Sequence, residues 1–151
     1  MKLSLRGEYA LRALIELAEA KEDDIVPIQL ISQRQQIPKR FLEQILNDLR
    51  SGDFVESKRG IAGGYRLGRP AQDISLSEVV QHIEGVFLPT TSGSQQPRLQ
   101  PGALEAQKAI HNTIKEAQDA ATKVLESITL QDLLERTHQL RDLEQSADYA
   151  I

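Results

Sequence analysis

Ile28–Arg69 reads IQLISQRQQIPKRFLEQILNDLRSGDFVESKRGIAGGYRLGR, and its pieces decide the fold. Ile28 to Gln35 is a short helix with Ile28, Leu30 and Ile31 on its apolar side. Gln36-Ile37-Pro38 breaks it. Lys39 to Arg50 is a second helix, with Phe41, Leu42, Ile45, Leu46 and Leu49 on one side at helical spacings of three and four. Pro38 suits the first turn of that helix, where its missing N–H costs nothing. A helix, a tight turn and an amphipathic helix make the helix-turn-helix pattern. Lys39, Arg40, Glu43, Gln44 and Asn47 fall on the wet side of the second helix, and these residue types contact phosphates and base edges. Gly52-Asp53 ends the helix. Phe54 to Ser57 then alternates apolar and polar, Lys58 to Gly64 is basic and glycine-rich, and Tyr65-Arg66-Leu67 alternates again. That is a two-stranded hairpin with a basic tip, placed directly after a recognition helix: a winged helix.

Outward from this stretch the pattern is helical. Leu3 to Ala20 carries two adjacent apolar stripes, one of Leu5, Tyr9, Ala13 and Leu17 and one of Ala10, Leu14 and Ala18, so one broad face is buried. Glu8, Arg12, Glu16 and Glu19 are expected to lie opposite. Arg6 stands near the start of this helix, within reach of DNA phosphate. Ser75 or Ser77 caps a further helix that ends near Gly85, Ser75 and Glu78 having capping-box spacing. Its apolar face is Leu76, Val79, Val80 and Ile83. Val86 to Gly102, which contains TTSGSQQPRLQPG, reads as a flexible polar loop. Ala103 to Ser127 is a long helix on which Ile110, Ile114, Ala117, Ala121, Val124 and Ile128 recur in steps of four and three, the stripe of a helix seam. A stripe this narrow on so long a helix points to a partner helix from a second copy, with Ala117 and Ala121 allowing close approach. Thr129 caps a short helix from Leu130 to Leu140, and Gln139 to Ile151 is expected to fray.

The chain resembles the IscR-type winged-helix regulators. The likeness rests on LSLRGEYALRAL near the N-terminus, on IPKRFLEQILNDLRSGDFVESKRGIAGGYRLGR, and on ISLSEVVQHIEG from Ile74, and it resumes at His111 and ends near SITLQDLL. It covers most of the chain except about Val86 to Gly102. The resemblance implies a homodimeric transcription factor, often a repressor, from a family in which many members sense iron–sulfur status, nitric oxide or cysteine supply. Ala62 departs from the glycine common at its position. The cluster-binding members carry three cysteines in the loop that here runs from Val86 to Gly102, and this chain has none anywhere. His111 falls where those members place a non-cysteine ligand. One histidine cannot hold a cluster, so the expectation is no iron–sulfur cluster and no cofactor. An inherited helix residue lining an effector pocket with Phe87, Leu88 and Leu104 is the preferred reading of His111.

Bulk properties fit one soluble domain with an appended helical region. The net charge of −4 is unevenly placed, with +2 over residues 1–70 and −6 over residues 71–151. The basic excess coincides with the winged helix, which favours a DNA face over a merely solvated surface. The absence of cysteine excludes a disulfide scaffold and any thiolate metal site. The N-terminus lacks the apolar core and cleavage site of a signal peptide, and no apolar run approaches a membrane span of ~18 residues, so a cytoplasmic location is expected. No HExxH, GxxxxGK or GxSxG motif occurs, and His82, His111 and His138 are never at metal-ligand spacing. An enzyme is therefore not expected.

The expected architecture is mostly α. Residues 1–85 form a winged helix-turn-helix domain with a small two-stranded wing, 86–102 a flexible loop and 103–151 a helical dimerisation region. The expected DNA contacts are Lys39, Arg40, Phe41, Gln44 and Asn47 in the major groove and Lys58, Arg59 and Gly63 at the wing. Arg40 and Gln44 are the foremost base readers. Lys39 serves a base or a phosphate, and Glu43 accepts from a cytosine amino group or orients Arg40. The partners are double-stranded DNA with a pseudo-palindromic site, a second copy, and an unidentified small-molecule or protein effector. The reading from another class is a protein-interaction module that uses the winged helix without reading DNA.

Overall fold

A computed structural model describes residues 3–85 and 98–149. Its elements in chain order are helix α1 (Leu5–Glu19), α2 (Ile28–Gln35), α3 (Lys39–Ser51), strands β1 (Val55–Lys58) and β2 (Gly64–Leu67), a 3-10 turn (Ala71–Asp73), α4 (Leu76–Glu84), α5 (Ala103–Ser127) and α6 (Leu130–Tyr149). The strands pair antiparallel, with Val55 opposite Leu67 and Lys58 opposite Gly64. This is the expected winged helix followed by a long helix. Phe87 and Leu88 lie outside the described residues.

One core joins α1 to α4 and the root of the wing: Ala10, Ala13 and Leu14 from α1, Ile31 from α2, Leu42, Ile45, Leu46 and Leu49 from α3, Phe54 and Val55 at the wing, Ile74, and Val79 of α4. Leu130 closes it from α6. Fully burying each of these large side chains is worth roughly 1.5–3 kcal/mol against an exposed reference, so the four core residues of α3 alone fix which of its faces remains wet. Phe41 does not join them. It is 46% exposed, because its position on the helix lies beyond the edge of the buried stripe, beside Arg40 rather than Leu42.

Local chemistry sets the boundaries. Ser4 caps α1, its Oγ accepting from the Gly7 N–H at 3.0 Å, and it also bonds Glu84 of α4. Pro38 stands one residue earlier than expected, as the N-cap of α3 rather than in its first turn. Gln36 supplies the left-handed residue that turns α2 into α3 (φ 52°). At the end of α3 the left-handed residue is Asp53 (φ 60°), not Gly52 (φ −94°). A short polar side chain tolerates that conformation. Ser75, not Ser77, caps α4, and a complete capping box with Glu78 accompanies it.

Two expectations are corrected. Glu16 is not on the solvent side of α1: it is 5% exposed and holds partners on α2. The last helix does not end near Leu140 but continues to Tyr149. Thr129 and Asp132 cap it reciprocally, Thr129 Oγ1 accepting from the Asp132 N–H at 3.1 Å and Asp132 Oδ2 from the Thr129 N–H at 2.9 Å. Further along, Glu19 of α1 bonds His138 at 3.1 Å and Arg141 at 2.8 Å. Those contacts fasten a segment whose own apolar pattern is weak. No helix among the described residues is long and apolar enough to cross a membrane.

Candidate nucleic-acid interface

Because Leu42, Ile45, Leu46 and Leu49 face inward, α3 presents Lys39, Arg40, Glu43, Gln44 and Asn47 to solvent, the set expected from the sequence. The Arg40 guanidinium lies 5.2 Å from the centre of the Phe41 ring, a cation–π contact. Phe41 is thus an apolar plate beside the reading residues. With Leu5, Tyr9, Ile45, Arg6 and Gln44 it also lines a cleft of about 350 Å³ between α1 and α3.

Electrostatic pairing divides the basic residues. Among the described residues, Lys39, Arg40 and Arg50 of α3 and Lys58 and Arg59 of the wing form no ion pair, whereas Arg6, Arg12, Arg34, Arg66 and Arg69 do. Arg6 pairs with Asp48 on the flank of α3, so it is not a ready phosphate contact. Arg66 is held by Glu56 at 2.9 Å and by Asp23 at 3.6 Å. Arg69 lies over the Phe54 ring and reaches Glu78 at 3.4 Å. The second helix of the helix-turn-helix and the wing beside it thus carry five cations without ion pairs, where a polyanion gains most. Among the described residues Lys21, Arg98, Lys108, Lys115, Lys123 and Arg136 are unpaired too, away from that face.

Arg50 joins the two. Its Nη1 donates to Ser57 Oγ of β1 at 3.3 Å. The pair stands in a groove of about 340 Å³ between the start of α2 and the wing, which Gln29, Lys58 and Arg59 also line. Near its turn the wing is pinned to the body by a bridge in which Val26 and Tyr65 exchange backbone hydrogen bonds of 2.8 and 2.9 Å. At Gly63 a Cβ would stand 2.4 Å from the Lys58 carbonyl oxygen. That glycine is required by the packing of its own turn, not by a positive φ.

His82 is a positioning residue that the sequence did not single out. Its Nε2 donates to the Asp48 carbonyl at 2.6 Å, and Ser51 Oγ donates to the same oxygen at 2.6 Å. A helix leaves its last carbonyls without partners, so these bonds finish the end of α3. The ring packs edge-on to Phe54 at 5.4 Å. No spacing signal marks such a role, since it arises from a contact between α3 and α4.

Five of the six expected seam residues lie along α5, a 25-residue helix that buries none of its own residues within the chain, whereas Ile128 is its C-cap residue in extended conformation. Ile110, Ile114 and Val124 are 61%, 51% and 57% exposed. Ala117 is exposed, and Ala121 and Ile128 are half-buried. Leu104 and His111 stand exposed in the N-terminal half of α5. No three His, Asp or Glu side chains among the described residues gather in a way that holds a metal ion.

Comparison with known proteins agrees with this geometry. Residues 3–136 match the Rrf2 family model, described as an iron-dependent transcriptional regulator. A putative Rrf2-like helix-turn-helix transcriptional regulator of Rhodobacter capsulatus is 40% identical over 137 residues, 87% of this chain and 91% of that protein. The transcriptional regulator IscR of Cereibacter sphaeroides is 43% identical over 86 residues, 56% of each chain. Among solved structures, CymR, the global cysteine regulator of B. subtilis, is similar with a TM-score of 0.65 and 30% identity, over 90% of this chain and 98% of that one. The residues of this chain do not fit an iron–sulfur cluster, for which thiolates are the usual ligands: it has no cysteine.

Proposed function

The chain belongs to the Rrf2 family of DNA-binding transcriptional regulators, and from that premise we propose that it is a homodimeric repressor of a pseudo-palindromic operator. The observation that carries the reading is that Lys39, Arg40 and Arg50 of α3 and Lys58 and Arg59 of the wing all stand without an ion pair among the described residues, on adjoining elements. A protein-interaction surface has no need to leave five cations uncompensated on the two elements that enter grooves in winged helices. In this reading α3 lies in the major groove. Arg40 and Gln44 read base edges, Lys39 and Asn47 support them, and Lys58 and Arg59 of the wing, with Gly63 keeping its turn tight, hold the adjacent backbone.

The second copy is argued from α5. A helix owes most of its stability in a protein to the packing of its apolar face, and this one exposes Ile110, Ile114 and Val124. Pairing the stripe with its counterpart would cover it and set two α3 helices on one face of the duplex. Regulation then comes from a small molecule or a partner protein rather than from an iron–sulfur cluster, and the start of α5 around Leu104 and His111 is the place for that input. The protein acts by binding, with no catalytic step.

Selection of duplexes from a random-sequence pool, followed by footprinting and sedimentation, tests the reading. The expected result is a dyad-symmetric site whose half-sites are ~10 base pairs apart or a multiple of that, bound by a dimer. A bound monomer on an asymmetric site would overturn the symmetric part. Iron and sulfide in stoichiometric amounts in anaerobic preparations would overturn the cofactor-free part.

A further inference from the structure

We propose that Ile61 is an apolar wedge that the wing inserts into the minor groove of the operator, where it opens a base step next to the site read by α3. The proposal rests on the DNA-binding reading and adds to it a contact that carries no charge.

The wing ends in a tight turn. The Gly63 N–H donates to the Gly60 carbonyl at 3.0 Å, so Ile61 and Ala62 are the two corner residues of a β-turn that closes the Lys58–Gly64 strand pair. Corner positions favour Pro, Asn, Asp, Ser or Gly, each of which eases the turn or bonds within it. Isoleucine does neither. It also packs on nothing in its own chain, being 110% exposed. Single exposed apolar residues are common on protein surfaces, but this one occupies the outermost point of the element that faces DNA. Lys58 and Arg59, both without an ion pair among the described residues, line the same groove as Ile61. Cations that bind a phosphate wall of a groove leave the residue beyond them, at the tip of the turn, free to reach its floor.

The side chain suits that place. Isoleucine is among the residues that enter the minor groove and part stacked base pairs. Its branched Cβ leaves it little rotamer freedom to lose on insertion. The support beneath it is firm: Tyr65, one residue past the Lys58–Gly64 pair, is bridged to Val26 of the body, and the Gly63 turn has no room for a side chain. A wedge works best where the duplex yields. Pyrimidine–purine steps unstack most readily, so Ile61 would give the operator a sequence preference at a position no polar group reads.

The test uses the full chain and duplexes that the wild type selects from a random pool, with 2-aminopurine substituted at successive steps on the wing side. Wild type should raise 2-aminopurine fluorescence at one step and should enrich pyrimidine–purine sequence there. Ile61→Ser should weaken binding about tenfold, abolish the fluorescence rise and lose the step preference, with the salt dependence unchanged. Ile61→Leu should restore all three. Lys58→Ala, by contrast, should flatten the salt dependence by about one unit. Wild-type affinity in Ile61→Ser beside weakened binding in Lys58→Ala would overturn the proposal and leave the DNA-binding reading intact, since the wing would then act through charge alone. No fluorescence rise with wild type at any step would also overturn it. A wild-type protein that selects no sequence would overturn both readings together.

Discussion

The carboxylate of Glu16 accepts a hydrogen bond from the guanidinium of Arg34 at 2.8 Å, with the acid side chain 5% exposed and the arginine 59%. Its other oxygen accepts from Gln35 Nε2 at 2.8 Å. A buried acid on α1 thus holds the end of α2 just before the Gln36 turn that aims α3. Removing a hydrogen bond to a charged group costs roughly 1.5–3 kcal/mol. Arg34→Ala should lower the unfolding free energy by about that much in urea, measured at fixed protomer concentration because the stability of a dimer depends on it. Glu16→Leu, which removes the charge and keeps the volume, should be tolerated better than Glu16→Ala. A loss under about 0.5 kcal/mol for Arg34→Ala, the range of an ordinary surface change, would show that the pair does not fix α2.

Glu19 makes the second tie, between α1 and α6, and it makes stability depend on pH. Burial pushes its carboxyl upward, while the hydrogen bonds from His138 and Arg141 and their charges pull it down, and the net result is a value below its ordinary one. A lowered folded value means that the contribution is fully present above the ordinary carboxylate range. It is lost as pH falls through the depressed value, when the protonated acid releases Arg141. In Glu19→Gln that part of the acid loss should be missing. Hydrogen exchange of α6 amides on stepping from neutral pH to below pH 4 is the measurement. Wild type should lose protection in α6 before it loses it in α3, and equal pH profiles for the two proteins would sink the idea.

These two ties also show where the sequence was legible. The core side of α3 could be read from Leu42, Ile45, Leu46 and Leu49 because a dry stripe imposes its own period. The hairpin could be read because glycines and alternation bracket it. Phe41 could be read both on the apolar side of α3 and as a DNA contact; the spacing rule could not say which, and it stands 46% exposed beside the buried stripe. Glu16 defied the pattern because its burial depends on Arg34 and Gln35, residues from another helix that carry no mark of the contact. The extent of α6 was hidden likewise, since it is held by Glu19 and not by a stripe of its own. On the candidate interface, residue types on the wet face were visible in the sequence. Which cations stay unpaired was not, because Arg66 resembles Lys58 until Glu56 and Asp23 are placed beside it.

Arg40 should read a base, and the Phe41 ring should hold it in place. Arg40→Ala should cost on the order of 1–3 kcal/mol in operator binding and relax selection at one position per half-site. Arg40→Lys keeps the charge but loses the planar fork and the stacking surface, so it should keep the salt dependence while relaxing the same position. Phe41→Ala should act in the same direction by about 0.5–1 kcal/mol, the worth of an exposed cation–π contact, without changing the charge. Competition binding with single-base operator variants separates these cases. Uniform weakening over all variants in Arg40→Ala would make the residue a phosphate contact.

The seam on α5 gives the last prediction. Ile114 and Val124 are half exposed or more within one chain, and Ala117 and Ala121 lie between them on the same stripe. If two copies of α5 meet there, the small residues let the backbones come close and the larger ones fill the space on either side. An aspartate at 114 or 124 would then be a charge without a partner in a dry seam, which is far costlier than the same residue in water. Ile114→Asp and Val124→Asp should each raise the dimer dissociation constant at least tenfold, or about 1.4 kcal/mol, by sedimentation equilibrium. Lys123→Glu on the polar side of the same helix should leave it within a factor of about three. Operator affinity should fall with dimerisation, since one half-site supplies half of the phosphate and base contacts. Circular dichroism must show that each variant keeps its helical content. Aspartate variants that stay dimeric would move the interface to another face of the molecule, and the exposed stripe would need a different partner.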